Sequence, residues 1–135
     1  MIHSTINELT KYVMTTHNKN TMALDITMMM DMSRPSFHED QPIREVASFL
    51  AKKGITGLPV VNSQGEIVGF ISEKDCLKNI FEAKLNRMPL GKVKDYMSKE
   101  VLCIDTKKSF TEVLSYFSTK AFHVYPVTNN GKYIG

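Results

Sequence analysis

Apolar residues recur along this chain with two alternating periods, and the places where the period changes mark its elements. From Ser4 to about Thr16, Ile6, Leu9, Val13 and Met14 fall at helical spacing behind a Thr5-x-x-Glu8 capping box. This predicts an amphipathic helix that covers apolar surface. His17 to Thr21 is polar and reads as a loop, and Met22 to Met32 is a methionine-rich apolar lead-in. Phe37 to Glu39 predicts a short strand, followed by a helix capped by Asp40 with Pro42 in its first turn. In that helix Ile43, Val46, Ala47 and Leu50 form one stripe, and Lys52, Lys53 and Gly54 end it. Two apolar runs, Leu58 to Val61 and Ile67 to Ser72, flank Asn62-Ser63-Gln64-Gly65 and predict a hairpin. A helix then runs from Glu73, with Cys76, Leu77, Ile80 and Phe81 on one side, and stops before Pro89.

After a bridge from Val93 to Ser98 the pattern returns. Val101 to Ile104 reads as a strand, and Phe110, Val113, Leu114 and Phe117 as a helix stripe. Tyr125 to Thr128 and Lys132 to Gly135 are strands about Asn129-Asn130-Gly131, a strong turn signal. Pro59 answers Pro126, Gly69 answers Gly135, and Met32-Ser33 answers Met97-Ser98 at nearly constant spacing. Two copies of one unit predict an α/β (α+β) fold in which the copies bury apolar faces against each other. We divide the chain into a lead-in (1–29), a first copy (30–90) and a second copy (91–135) that stops where the first goes on to Ser72 and its helix.

Composition narrows the reading a little further. At 135 residues and 42% hydrophobic content the chain can bury a core, and the net charge of +3 is too mild to point to nucleic acid. No apolar run approaches a membrane span and no signal segment opens the chain, which predicts a cytoplasmic protein. Cys76 and Cys103 have no metal or redox spacing and read as small core residues. Met28, Met29, Met30 and Met32 lack interleaved His or Cys and read as core filler rather than copper ligands. The basic stretch Lys92, Lys94, Lys99, Lys107 and Lys108 is interrupted by acids and reads as a solvated surface.

The order strand, helix, strand, strand, helix resembles the cystathionine-beta-synthase (CBS) domain. Gly54-x-x-Gly57-x-Pro59 before the hairpin and Gly69-Phe-Ile-Ser-Glu-Lys-Asp75 after it carry the resemblance, which covers about Met30 to Gly135. It implies a bacterial-type Bateman module, two repeats packed about a pseudo-dyad, an adenine nucleotide or adenosine derivative in the cleft between them, and association into a homodimer. It implies no catalysis, and Ser72, Asp75 and His123 lack the glycines of a nucleophile elbow. No metal or other cofactor is called for beyond AMP, ADP or ATP as regulatory ligand.

Ser72-Glu73-Lys74-Asp75 matches the family's Ser/Thr-x-x-Asp signature, in which the aspartate takes ribose hydroxyls and the hydroxyl sits near phosphate. A helix N-terminus suits phosphate, but the same four residues also make an ordinary helix cap. Gly54, Thr56, Gly57, Leu58 and Pro59 match the stretch whose backbone holds the adenine edge, or they end a helix and begin a strand. In the second copy Phe122 and His123 occupy the matching place. Some family members carry a histidine there that touches phosphate; a protonated His123 would lose affinity for the anion as pH rises past about 6.5, unless it is a strand-edge residue. A ligand-free pair, acting as a structural dimerisation or protein-interaction module, shares the fold and differs in having its cleft plugged by side chains such as Phe122 and Phe37.

Overall fold

The computed structural model describes residues 2–3, 30–119 and 124–135. The helix expected over Ser4 to Thr16 and the loop after it lie outside these, as do Phe122 and His123. Two compact units form: Pro35–Val101, and the chain on either side of it, 1–34 with 102–135.

In the unit Pro35–Val101, β2 (Phe37–His38) runs parallel to β3 (Gly57–Val61), which is antiparallel to β4 (Ile67–Ser72). Parallel neighbours need a crossover, and α1 (Ile43–Lys53) supplies it. Its stripe is as the spacing predicts, with Ile43, Val46 and Leu50 fully buried beside Leu58, Val60 and Ile71 of the sheet. Phe37 joins this core and sets its ring edge-on to Phe49 at 5.5 Å. Asn62 accepts the Gln64 and Glu66 N–H groups, each at 3.0 Å, and closes the hairpin. The helix α2 (Glu73–Leu85) follows β4 and buries Cys76 and Ala83.

The cap of α1 differs from expectation. Pro42, not Asp40, is the residue before the helix, and no side chain caps it. Asp40 instead meets the Lys94 ammonium at 2.9 Å, with Lys92 at 3.7 Å, because the 3₁₀ turn Val93–Asp95 is bonded back onto Glu39 and Gln41. The apolar side expected for α2 is also only partly buried. Cys76 lies in the core, whereas Leu77 and Phe81 are 61% and 64% exposed, since the helix meets α1 through the neighbouring Cys76–Ala83 face.

The other unit repeats the arrangement with β5 (Ile104–Asp105) parallel to β7 (Val127–Asn129) and β7 antiparallel to β8 (Lys132–Tyr133). α3 (Phe110–Thr119) makes the crossover, and Ile104, Val113, Phe117, Tyr125 and Val127 form the core. Asn130 and Gly131 both take positive φ, 51° and 79°, as a tight Asn-Gly hairpin turn requires. The strand expected over Val101 to Ile104 begins only at Ile104. The run from Tyr125 is split at Pro126, which lacks an N–H: β6 (Val124–Tyr125) pairs antiparallel with β1 (Ile2–His3), a strand the hydrophobic pattern did not signal.

Each unit uses a lead-in segment from the opposite copy. A Cβ at Gly69 would collide with Met97 and approach the Ser98 carbonyl oxygen to 2.8 Å, and Ser98 pairs with Phe70 through two backbone bonds. At Gly135 a Cβ would meet Met30 at 2.8 Å and the Asp31 carbonyl oxygen at 3.1 Å, while the Tyr133 hydroxyl donates to the Arg34 carbonyl. The recurring glycines therefore receive the recurring Met-Ser segments.

Candidate functional site

The Ser72-x-x-Asp75 motif is a complete capping box. Ser72 is extended (φ −102°, ψ 158°) at the end of β4, and its Oγ accepts the Asp75 N–H at 3.1 Å. Asp75 Oδ2 in turn accepts the Ser72 N–H at 3.1 Å and the Ser72 hydroxyl at 2.6 Å. Both residues are half-buried. All of these bonds engage Oδ2, so among the described residues Oδ1 keeps its lone pairs for another donor. The Ser72 hydroxyl proton is already spent on Asp75, so an approaching phosphate meets it only after the hydroxyl turns.

Register brings the residues before the hairpin to the same corner. Gly57 pairs with Ser72, and the Glu73 N–H at the start of α2 donates to the Thr56 carbonyl at 2.8 Å. Thr56 is exposed there, and among the described residues its N–H has no partner. Thr56, Gly57, Ser72 and Asp75 thus stand together.

The other candidates have structural work of their own. Gly54 ends α1 in the left-handed conformation (φ 62°), its N–H turned back to the Leu50 and Ala51 carbonyls. Leu58 is fully buried in the core, and Pro59 is buried opposite Phe70. Phe37 spends its ring on Phe49, away from this corner.

The spacing of motifs did not single out Phe70. Its ring lies over Gly57, where a Cβ would come within 2.6 Å of Cε1 and 3.0 Å of Cζ. The signal available in the sequence was the pairing of a glycine on one strand with an aromatic on the next.

Neither free thiol is poised for chemistry. Burial, aided by the negative charge of Asp75, pushes the Cys76 thiol up to about 11, and burial raises Cys103 as well. Both stay protonated near neutral pH, the unreactive form. Among the described residues no group of three His, Cys, Asp or Glu side chains could hold a metal ion, and no helix is long and apolar enough to cross a membrane. Met30 packs on the second core as filler.

The pattern of the CBS domain matches residues 25–82 and 93–135. A 17.7 kDa uncharacterised protein of Acidianus ambivalens is 31% identical over 94 residues, 69% of this chain and 55% of its own length. The chain spans about half the length of the curated relatives it matches. Among solved structures, CBSX2 in complex with AMP superposes with a TM-score of 0.63 at 22% identity, covering 76% of this chain and 79% of that one. The cytosolic domain of the Mg2+ channel MgtE in complex with ATP gives 0.64 at 23% identity, covering 78% and 42%. At these identities the likeness establishes the shared fold.

Proposed function

Because this chain belongs to the CBS domain family, we propose that it is a regulatory, non-catalytic module that senses an adenine nucleotide or adenosine derivative. The observation that carries the proposal is Asp75: a carboxylate held rigidly by its capping box, one oxygen unengaged, beside the exposed Thr56. A fixed carboxylate oxygen accepts sugar hydroxyls at little entropic cost. Proteins of the same fold bound to AMP and to ATP support this ligand class.

In this proposal Thr56 to Leu58, Ser72 and Asp75 hold the ligand, with Gly54 and Pro59 shaping the strand; Phe122 and His123 are second-copy candidates. Occupancy shifts the population of one conformation or oligomeric state, and an unidentified partner chain reads the shift. Calorimetric titration with AMP, ADP, ATP and S-adenosylmethionine tests this. Saturable binding to at least one of them, abolished in Asp75→Ala with the fold intact, is the expected result. No heat with any of the four sinks the reading.

A second reading rests on a different observation. Leu77, Phe81 and Leu85 lie along one side of α2 and are each more than 60% exposed, as is Met88 just past its end. An apolar ladder of this kind suits a homodimer or another protein contact. Sedimentation of the protein and of Phe81→Glu separates the two readings, because a purely structural pair binds no nucleotide yet loses its partner in the variant.

A further inference from the structure

We propose that Asn130 is a site of spontaneous covalent modification, where the turn joining β7 to β8 converts from asparagine to aspartate and isoaspartate. Asparagine is among the chemically labile side chains. Its conversion needs a following main-chain nitrogen unhindered by a side chain, with neither group tied to a neighbour. Asn130-Gly131 is the one Asn-Gly pair in the chain. Both residues are exposed, and among the described residues neither the Asn130 amide nor the Gly131 N–H has a hydrogen-bond partner. A Cβ at Gly131 would meet nothing within 4 Å, so water has free access to the nitrogen. The equivalent hairpin of the first copy is protected. There Asn62 precedes Ser63, whose side chain hinders ring closure, and the Asn62 side-chain oxygen is held by the Gln64 and Glu66 N–H groups at 3.0 Å each. Asn129 lies within β7, its side-chain oxygen accepting the Thr106 hydroxyl at 3.4 Å.

Hydroxide removes the Gly131 N–H proton, and the nitrogen's electron pair forms a bond to Asn130 Cγ. The Cγ–Nδ2 bond breaks, and the amide nitrogen takes a proton from water and leaves as ammonia, which regenerates hydroxide and closes a cyclic imide. Water then opens the imide at either carbonyl. Opening at Cγ leaves aspartate in an ordinary chain; opening at the main-chain carbonyl leaves isoaspartate, whose main chain is lengthened by the Cβ methylene. The fold gives the two products different consequences. Aspartate tolerates the positive φ of 51° that this position takes. A lengthened main chain does not fit the tight turn between the paired Asn129 and Lys132. β8 then loses its register with β7. It carries Tyr133, whose hydroxyl holds the Arg34 carbonyl, and leads to Gly135, whose carbonyl takes the Val127 N–H at 2.7 Å. Ageing at one exposed turn thereby loosens the seat of the segment 30–34.

The test is incubation of the wild-type chain, folded and in urea, in mildly acidic and mildly alkaline buffer, followed by peptide mapping with mass spectrometry. The folded chain is expected to lose ammonia at Asn130 ahead of Asn62 and Asn129, faster in the alkaline buffer, and to yield both acidic products. The isoaspartate form, separated chromatographically, should unfold at a lower temperature than the fresh chain, whereas Asn130→Asp should unfold with the fresh chain. Asn130 left intact in the folded chain while the urea-unfolded chain converts, or intact in both, overturns the site. Equal conversion at Asn62 or Asn129 overturns the contrast between hairpins on which it rests. An isoaspartate form that melts with Asn130→Asp overturns the loosening of the seat.

Discussion

The two copies carry the same capping device on different helices. In the first copy Ser72 and Asp75 open the second helix, α2, at the corner shared with Thr56 and Gly57. In the second copy Ser109 and Glu112 open the first helix, α3, by the same bonds: the Ser109 N–H and hydroxyl reach Glu112 Oε2 at 2.8 and 3.0 Å, and Ser109 Oγ accepts the Glu112 N–H at 3.3 Å. The difference teaches that Ser-x-x-acid is first of all a helix-start device. What sets the Asp75 box apart as the proposed site is its surroundings: an exposed threonine, a glycine and an aromatic ring brought there by strand register. The Ser109 box has lysines beside it, with Lys108 at 3.7 Å from Glu112 and 5.7 Å from the Tyr116 ring centroid, and reads as surface electrostatics.

Core substitutions test the copies most severely. Leu50 and Phe117 hold equivalent places on α1 and α3, fully buried and 8% exposed respectively. Leu50→Ala is expected to cost about 2–5 kcal/mol and Phe117→Ala about 3–5 kcal/mol in urea unfolding. A loss below about 1 kcal/mol at either place would show that this copy's helix does not anchor its core.

The glycine seats come next. Gly69→Ala drives a methyl against Met97 and a backbone carbonyl and is expected to cost about 1–3 kcal/mol. Gly135→Ala should cost less, because the Asp31 carbonyl there stands at 3.1 Å against 2.8 Å for the Ser98 carbonyl at Gly69, and only the terminal methyl of Met30 comes nearer. Equal losses in thermal or urea unfolding would contradict the difference between the two seats.

The capping boxes supply a smaller contrast. Ser72→Ala and Ser109→Ala should each remove about 1 kcal/mol. Only the former should alter nucleotide binding, measured by calorimetry on both variants. If Ser109→Ala changes it equally, the distinction between site and cap fails.

The smallest effect is a titration. Hydrogen bonds from the Ser109 backbone and side chain, with the Lys108 charge, hold the Glu112 carboxyl below its ordinary value of 4.5. A lowered carboxyl adds stability that is present above the unfolded value and fades as pH falls through the folded one. Carbon-detected NMR should place the Glu112 midpoint below 4.5, and Ser109→Ala should move it upward. An unmoved midpoint would mean that the box contributes nothing to the carboxylate.

Much of each copy was readable from local signals. The stripe Ile43-Val46-Leu50, the hairpin about Gly65, the Asn130-Gly131 turn and the start of α2 at Glu73 all follow from side-chain period and turn chemistry acting over a few residues. The misassigned cap has an equally plain cause. Asp40 is a good cap by type, but Lys94 lies far along the chain and folding places its ammonium on that carboxylate. Of the candidate site, the motif residues Ser72 and Asp75 were legible and the place of Phe70 was not, because a ring's lean across a strand pair depends on register.

By itself the sequence determined two copies of one unit, the order of the described elements, where α2 starts and which family they belong to. These follow because period, caps and turns are written within one or two turns of chain. Tertiary structure alone decided that each glycine seat takes a Met-Ser segment leading into the other copy, that Phe70 covers Gly57, and that Leu77 and Phe81 stay exposed. Each of those outcomes depends on which distant surfaces meet once strands pair and helices dock, and a local pattern carries no record of its eventual neighbour.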